Sequence, residues 1–68
     1  MRESREYMSD SIYKVQTRKQ GGAYATHLTT SNVAQAEIIY RGYNIGDGYA
    51  KRLVQDGKTV RRYSCIFA

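Results

Sequence analysis

Few side chains in this sequence are equipped for chemistry: one histidine, one cysteine and six carboxylates in 68 residues. His27 has neither a cysteine nor a carboxylate beside it in the chain. General acid–base work needs a partner that orients the imidazole, so a structural or merely exposed role is expected. Cys65 lies in the apolar run Ser64-Cys65-Ile66-Phe67 and reads as a small packing hydrophobe. A single thiol excludes an internal disulfide and a Cys-rich zinc site, leaving only crosslinking between chains. The glycines of residues 42–48 match neither the phosphate loop, which ends in Gly-Lys-Ser/Thr at its helix, nor the dinucleotide loop, which lies between a strand and a helix. The carboxylates are scattered and unpaired. No catalytic residue, metal ligand or cofactor is assigned, and enzymatic activity is not expected.

What remains is charge and aromatic surface. The chain carries eleven Lys and Arg against six Asp and Glu, a formal charge of +5, with seven tyrosines and no proline or tryptophan. Arg2 and Arg5 against Glu3, Glu6 and Asp10 leave residues 1–10 at −1, so the rest of the chain holds +6. Positive charge gathers at Lys14, Arg18 and Lys19 and again at Lys51, Arg52, Lys58, Arg61 and Arg62, where Tyr63 follows. Cations beside tyrosines suit an anionic partner, since Tyr offers a flat amphipathic contact at low entropic cost. The competing reading is that charged strands block unwanted edge pairing and keep a small domain soluble.

The elements that must position these residues follow from pattern and turn chemistry. Ile12 to Arg18 alternates, with Tyr13, Val15 and Thr17 on one side, as a strand does. Gly21-Gly22 supplies a turn, and Ala23 to Thr29 reads as a second strand with Tyr24, Thr26 and Leu28 sharing a face. Thr29-Thr30-Ser31-Asn32 marks a helix start, and Asn32 with Gln35 makes a capping-box variant. At about 100° per residue Val33, Ala36, Ile39, Tyr40 and Tyr43 form one stripe. Arg41 complements the negative helix end, and Gly42 is expected just past it. Ile38 falls off the stripe, as either a wide core edge or an exposed contact.

Residues 42–48 read as a loop. Tyr49–Gln55 and Lys58–Ile66 flank Asp56-Gly57, the pair that best fits a two-residue type I′ hairpin turn. A regular hairpin then pairs Val54 with Thr59, Leu53 with Val60, Arg52 with Arg61, Lys51 with Arg62 and Ala50 with Tyr63. Tyr49, Leu53, Val60 and Ile66 would pack under the helix, with Lys51 and Arg62 reaching out at the rim by their aliphatic stems. Arg52, Arg61 and Tyr63 would stand on the other face beside Val54 and Cys65. Two like-charge pairs directly opposite cost a few tenths of a kcal/mol each, which points to an anionic partner. A register shifted by one exchanges the faces.

The expected fold is α+β: an antiparallel sheet of about four strands in ββαββ order with one helix packed on one face. Residues 1–11 are expected to be a flexible polar leader, with Met8 an alternative start, and 12–68 a single small domain. A chain this short buries only roughly 60% of its unfolded surface, which leaves little for a preorganised catalytic pocket. No apolar run reaches the ~18 residues of a membrane span, and Met1 to Met8 lack a signal-peptide stretch, so a cytoplasmic protein is expected.

The hairpin, the Ser/Thr-rich start of a short Ala-containing helix at residues 28–36, and the second hairpin at Gln55-Asp56-Gly57-Lys58 together resemble several small phage-encoded inhibitors. These include anti-CRISPR proteins of the Cascade surveillance complex and inhibitors of bacterial RNA polymerase. The resemblance spans residues 12–66 in element order and carries over no functional residue. It implies a non-enzymatic inhibitor in the host bacterial cell, docked through its sheet on a complex that processes nucleic acid. Positive charge departs from the acidic, DNA-mimicking inhibitors and fits docking on an acidic protein surface or on a complex whose nucleic acid is touched. Residues 12–42 also look like the arm-type DNA-binding domain of tyrosine integrases and the plant AP2 domain, which implies direct DNA or RNA binding. That match lacks their third strand ahead of the helix and leaves the second hairpin unexplained. On either reading the contact residues are Lys14, Arg18, Lys19, Lys51, Arg52, Lys58, Arg61, Arg62 and Tyr63, in a monomer or small homo-oligomer. A homo-oligomeric structural protein built on an open sheet edge or on Ile38 is a third option.

Overall fold

Turn residues set the boundaries of every element. The computed structural model describes residues 11–66, so the expected polar leader lies outside the described residues apart from Ser11. Strands β1 (Tyr13–Lys19) and β2 (Ala25–Thr30) precede helix α1 (Val33–Gly42), and β3 (Tyr49–Gln55) and β4 (Lys58–Ser64) follow it. The four strands form one sheet in the order β2-β1-β3-β4, antiparallel at every pairing. This is the α+β, ββαββ architecture read from the pattern.

Asp56 and Gly57 both adopt positive φ, 50° and 85°, as a type I′ turn requires. Asp56 also pins the start of β1: its Oδ1 accepts from the Ile12 N–H at 2.8 Å and its own N–H donates to Ile12 O at 2.9 Å. The charge-assisted bond from the Ile12 N–H, with one from Ser11, holds the Asp56 carboxyl below its ordinary 3.8.

Asn32 caps the helix, its Oδ1 accepting from the Gln35 N–H at 3.1 Å. The reciprocal half of the expected capping box runs through a third residue. The Thr30 hydroxyl accepts from the Asn32 N–H at 3.0 Å and donates to Gln35 Oε1 at 2.9 Å. At the other end Gly42 belongs to the last turn and Tyr43 closes it with extended backbone, φ −82°. The left-handed glycine stop expected from Gly42 is absent.

The core lies between α1 and the β1–β3 pair: Val15, Leu53, Ala36 and Tyr40 are buried, with Tyr13, Leu28 and Tyr43 packed against them. Ala36, Tyr40 and Tyr43 hold the centre of the helical stripe, whereas its flanks Val33 and Ile39 are exposed. Ile38, 67% exposed, is no part of the core.

Two bulges decide which residues share a face. In β2, Leu28 pairs with Val15 but Thr26 pairs with Gln16, so His27 is the extra residue. Leu28 therefore joins the helix side, Thr26 lies on the opposite side, and the expected common face of Tyr24, Thr26 and Leu28 is split. In β4, Thr59 pairs with Val54 but Arg61 pairs with Leu53, so Val60 is the extra residue. Every residue after it changes sides relative to a regular hairpin. Arg61 and Tyr63 cross to the helix side, opposite Leu53 and Lys51, and Arg62 crosses to the other, opposite Arg52. The two expected like-charge pairs reduce to one, Arg52 with Arg62.

Candidate polyanion-binding face

Among the described residues helix α1 packs on one side of the sheet and no element packs on the other. Strand alternation sends Lys14, Gln16 and Arg18 of β1, Ala50, Arg52 and Val54 of β3, and Thr59, Arg62 and Ser64 of β4 to the open side. Four of these side chains are cationic, and none of the four strands carries a carboxylate on either side, so the acidic partner seen on the helix side, Glu37, comes from α1 alone. A cleft of about 380 Å³ lies among Ile12, Lys14, Gln16, Arg52 and Val54, with Asp56 and Gly57 at its turn end. The one carboxylate there, Asp56, is engaged by the Ile12 N–H.

Arg52 is the ordered centre of the face. Its Nε donates to Gln16 Oε1 at 2.7 Å, and the Gln16 amide donates onward to the Thr26 hydroxyl at 2.9 Å. The guanidinium carbon sits 3.8 Å from the Tyr24 ring centre, and that of Arg18 sits 5.5 Å from it. One edge of Arg52 is thus held by a neutral acceptor and one face by an aromatic ring. Among the described residues no carboxylate pairs with it, and its terminal nitrogens remain in a defined plane, as a fork for an anion requires. Gln16, Thr26 and Tyr24 were not singled out as contact residues from the sequence. The bulge at His27, which brings Thr26 to this side, has no sequence signal of its own.

The structure divides the nine expected contact residues. Lys14, Arg18, Arg52 and Arg62 share the open face. Lys19, opposite Tyr49 at a strand end, and Lys58, opposite Gln55 at the hairpin tip, are exposed but fall by alternation on the helix side, not on the open face expected of them.

Three others stand on the helix side and correct the expectation of one common surface. Arg61 donates from Nε to Glu37 Oε2 at 2.9 Å and ties β4 to the helix. Tyr63, 56% exposed, lies on the same side, its phenol pKa raised by the neighbouring Cys65. Lys51 is 8% exposed and turned inward instead of reaching out at a rim. Its Nζ donates to Tyr40 O at 2.5 Å and Tyr43 O at 3.0 Å, with Arg41 O at 3.5 Å, and lies 4.6 Å from the Tyr40 ring centre. Lys51 thus supplies the helix C-terminal cap that Gly42 does not. Burial raises the Tyr40 phenol, a shift that Arg61 opposes and Glu37 reinforces.

His27 shares a 2.6 Å hydrogen bond with Thr17 Oγ1 and stacks at a tilt on Tyr43, ring centres 4.9 Å apart. Among the described residues no three His, Cys, Asp or Glu side chains group as a metal site, and no helix is long and apolar enough to cross a membrane. No protein-family model, curated protein or solved structure matches this chain.

Proposed function

We propose that this chain is a non-enzymatic binding protein that docks through its open sheet face on a host nucleic-acid-processing complex, in the manner of the small phage-encoded inhibitors it resembles in element order. One observation carries the reading: Lys14, Arg18, Arg52 and Arg62 converge on a face whose strands present no carboxylate. Cations kept for solubility alone would be dispersed among acidic groups, as Arg61 is with Glu37. An uncompensated cluster attracts an anionic surface and speeds encounter with it. The place of action would be the cytoplasm of a bacterial host.

The test is affinity capture from a bacterial lysate with the wild-type chain and with the double variant R52A/R62A. The wild type is expected to retain a stoichiometric protein partner that the variant loses. The variant should unfold at a modestly lower temperature, because the contact with the Tyr24 ring and the bond to Gln16, about 1–2 kcal/mol together, outweigh the like-charge repulsion relieved, and circular dichroism should show it still folded at the temperature of the capture. Recovery of no stoichiometric partner, or equal recovery by both chains, would overturn the proposal.

A further inference from the structure

Resting on the docking reading above, we infer that the open face engages the phosphate backbone of double-stranded nucleic acid, with Arg52 as the fixed phosphate fork and Lys14, Arg18 and Arg62 as the surrounding contacts. A stable protein interface has a fully buried apolar centre, where Arg and Tyr are enriched but Lys and carboxylates depleted. The open face has the cations without that apolar centre. Of the large apolar side chains left exposed among the described residues, Val33, Ile38 and Ile39 belong to the helix, Tyr49 and Tyr63 to the helix side of β3 and β4, and Val60 to the bulge. Ile12 alone lines the cleft on the open side. The apolar residues within the open face, Ala50 and Val54, are already buried. A polar, cation-rich surface without apolar anchors is what duplex-binding proteins present.

The geometry favours a duplex over a single strand. Sequence-tolerant single-strand binding relies on aromatic faces on which bases stack. Tyr24, the tyrosine of this face among the described residues, already carries Arg52 at 3.8 Å over its ring. Lys14 and Arg18 are four positions apart on one strand, roughly 13 Å, and Arg52 and Arg62 face each other across neighbouring strands roughly 5 Å apart. A duplex presents one charge per roughly 1.7 Å of axis, so such a footprint meets more phosphates than it has cations. All four can be matched. Gln16 is a positioning residue: it holds the Nε edge of Arg52 at 2.7 Å and leaves the terminal nitrogens to the phosphate.

The experiment measures binding of the full chain to a 20-base-pair DNA duplex, the matching single strand and poly-L-glutamate over a range of salt. With four phosphates neutralised, the slope of log K against log salt for the duplex should be about −3.6. R52A/R62A should bring it to about −1.8. The variant Q16L should weaken duplex binding severalfold while leaving the slope near −3.6, since it removes no charge; a merely structural role for Gln16 would not separate the two readouts. Poly-L-glutamate should bind at least tenfold more weakly than the duplex. A single strand bound more tightly than the duplex, poly-L-glutamate bound as tightly, or no duplex binding at low salt would overturn the inference. If poly-L-glutamate is preferred and that binding is lost in R52A/R62A, the phosphate inference falls while the docking face stands. If R52A/R62A binds both polymers as the wild type does, both fall.

Discussion

Replacing Lys51 by Met keeps the length and most of the apolar stem but removes the ammonium that closes helix α1. The donors lost serve Tyr40 O at 2.5 Å, Tyr43 O at 3.0 Å and, weakly, Arg41 O at 3.5 Å. Tyr40 O keeps one partner, the Tyr43 N–H at 3.3 Å, whereas Tyr43 O loses its ammonium. Hydrogen bonds to a charged group contribute about 1.5–3 kcal/mol each, and a cation at a helix C-terminus about 0.3–2 kcal/mol. Against this, the variant no longer desolvates an ammonium, an effect of several kcal/mol. The terms nearly cancel except that Tyr43 O and Arg41 O stay where they are, partly buried and deprived of the ammonium, while Tyr40 O keeps only the long bond from the Tyr43 N–H. A net loss of about 2–3 kcal/mol is therefore expected, near the cost of one to two buried groups left unsatisfied. For a domain of this size that lowers Tm by roughly 10–20 °C. The assay is thermal and urea unfolding followed by circular dichroism, at low and at high salt. Because the cation is buried, the loss should hardly change with salt. A K51M chain as stable as the wild type, or a loss that disappears at high salt, would refute the assignment of Lys51 as the helix cap and return it to the surface charges.

Asp56→Asn suits the same turn and retains an acceptor for Ile12, but cannot titrate. The lowered carboxyl of Asp56 contributes stability above its ordinary 3.8 that is lost as pH falls through the lower folded value. The wild type should thus lose more stability on acidification below about pH 4 than D56N does; parallel acid unfolding curves would refute the role of the Ile12 contact. Deleting Val60 removes the bulge but leaves Arg61 opposite Leu53 and Arg62 opposite Arg52. Cross-strand nuclear Overhauser contacts of Arg61 and Arg62 should therefore match between the wild type and the deletion, and a changed set of partners would show that the wild-type register is not the bulged one.

How much of this could be read from the chain depended on how local the cause was. The type I′ turn at Asp56-Gly57 and the Asn32 cap each rest on a few consecutive residues, so turn and capping chemistry placed them, and the order of elements followed. The pattern also put Ala36, Tyr40 and Leu53 inward and grouped Val15 with Tyr13 and Thr17 on one side, because burial follows strand and helix periods. The faces of β2 and β4 were a different matter. One extra residue at His27 or Val60 inverts everything beyond it, and alternation carries no mark of where the extra residue sits. Expected cations therefore changed sides, with Arg61 brought to Glu37 and Arg62 to the open face. Lys51 could not be placed for a related reason. Its role depends on where the end of α1 rests on β3, a contact between residues eight to eleven positions apart with no local signature. Composition and turn chemistry by themselves determined a small, basic ββαββ domain. Only the tertiary structure, through two bulges and the docking of one helix, decided which four of its cations form a surface and which one holds the fold together.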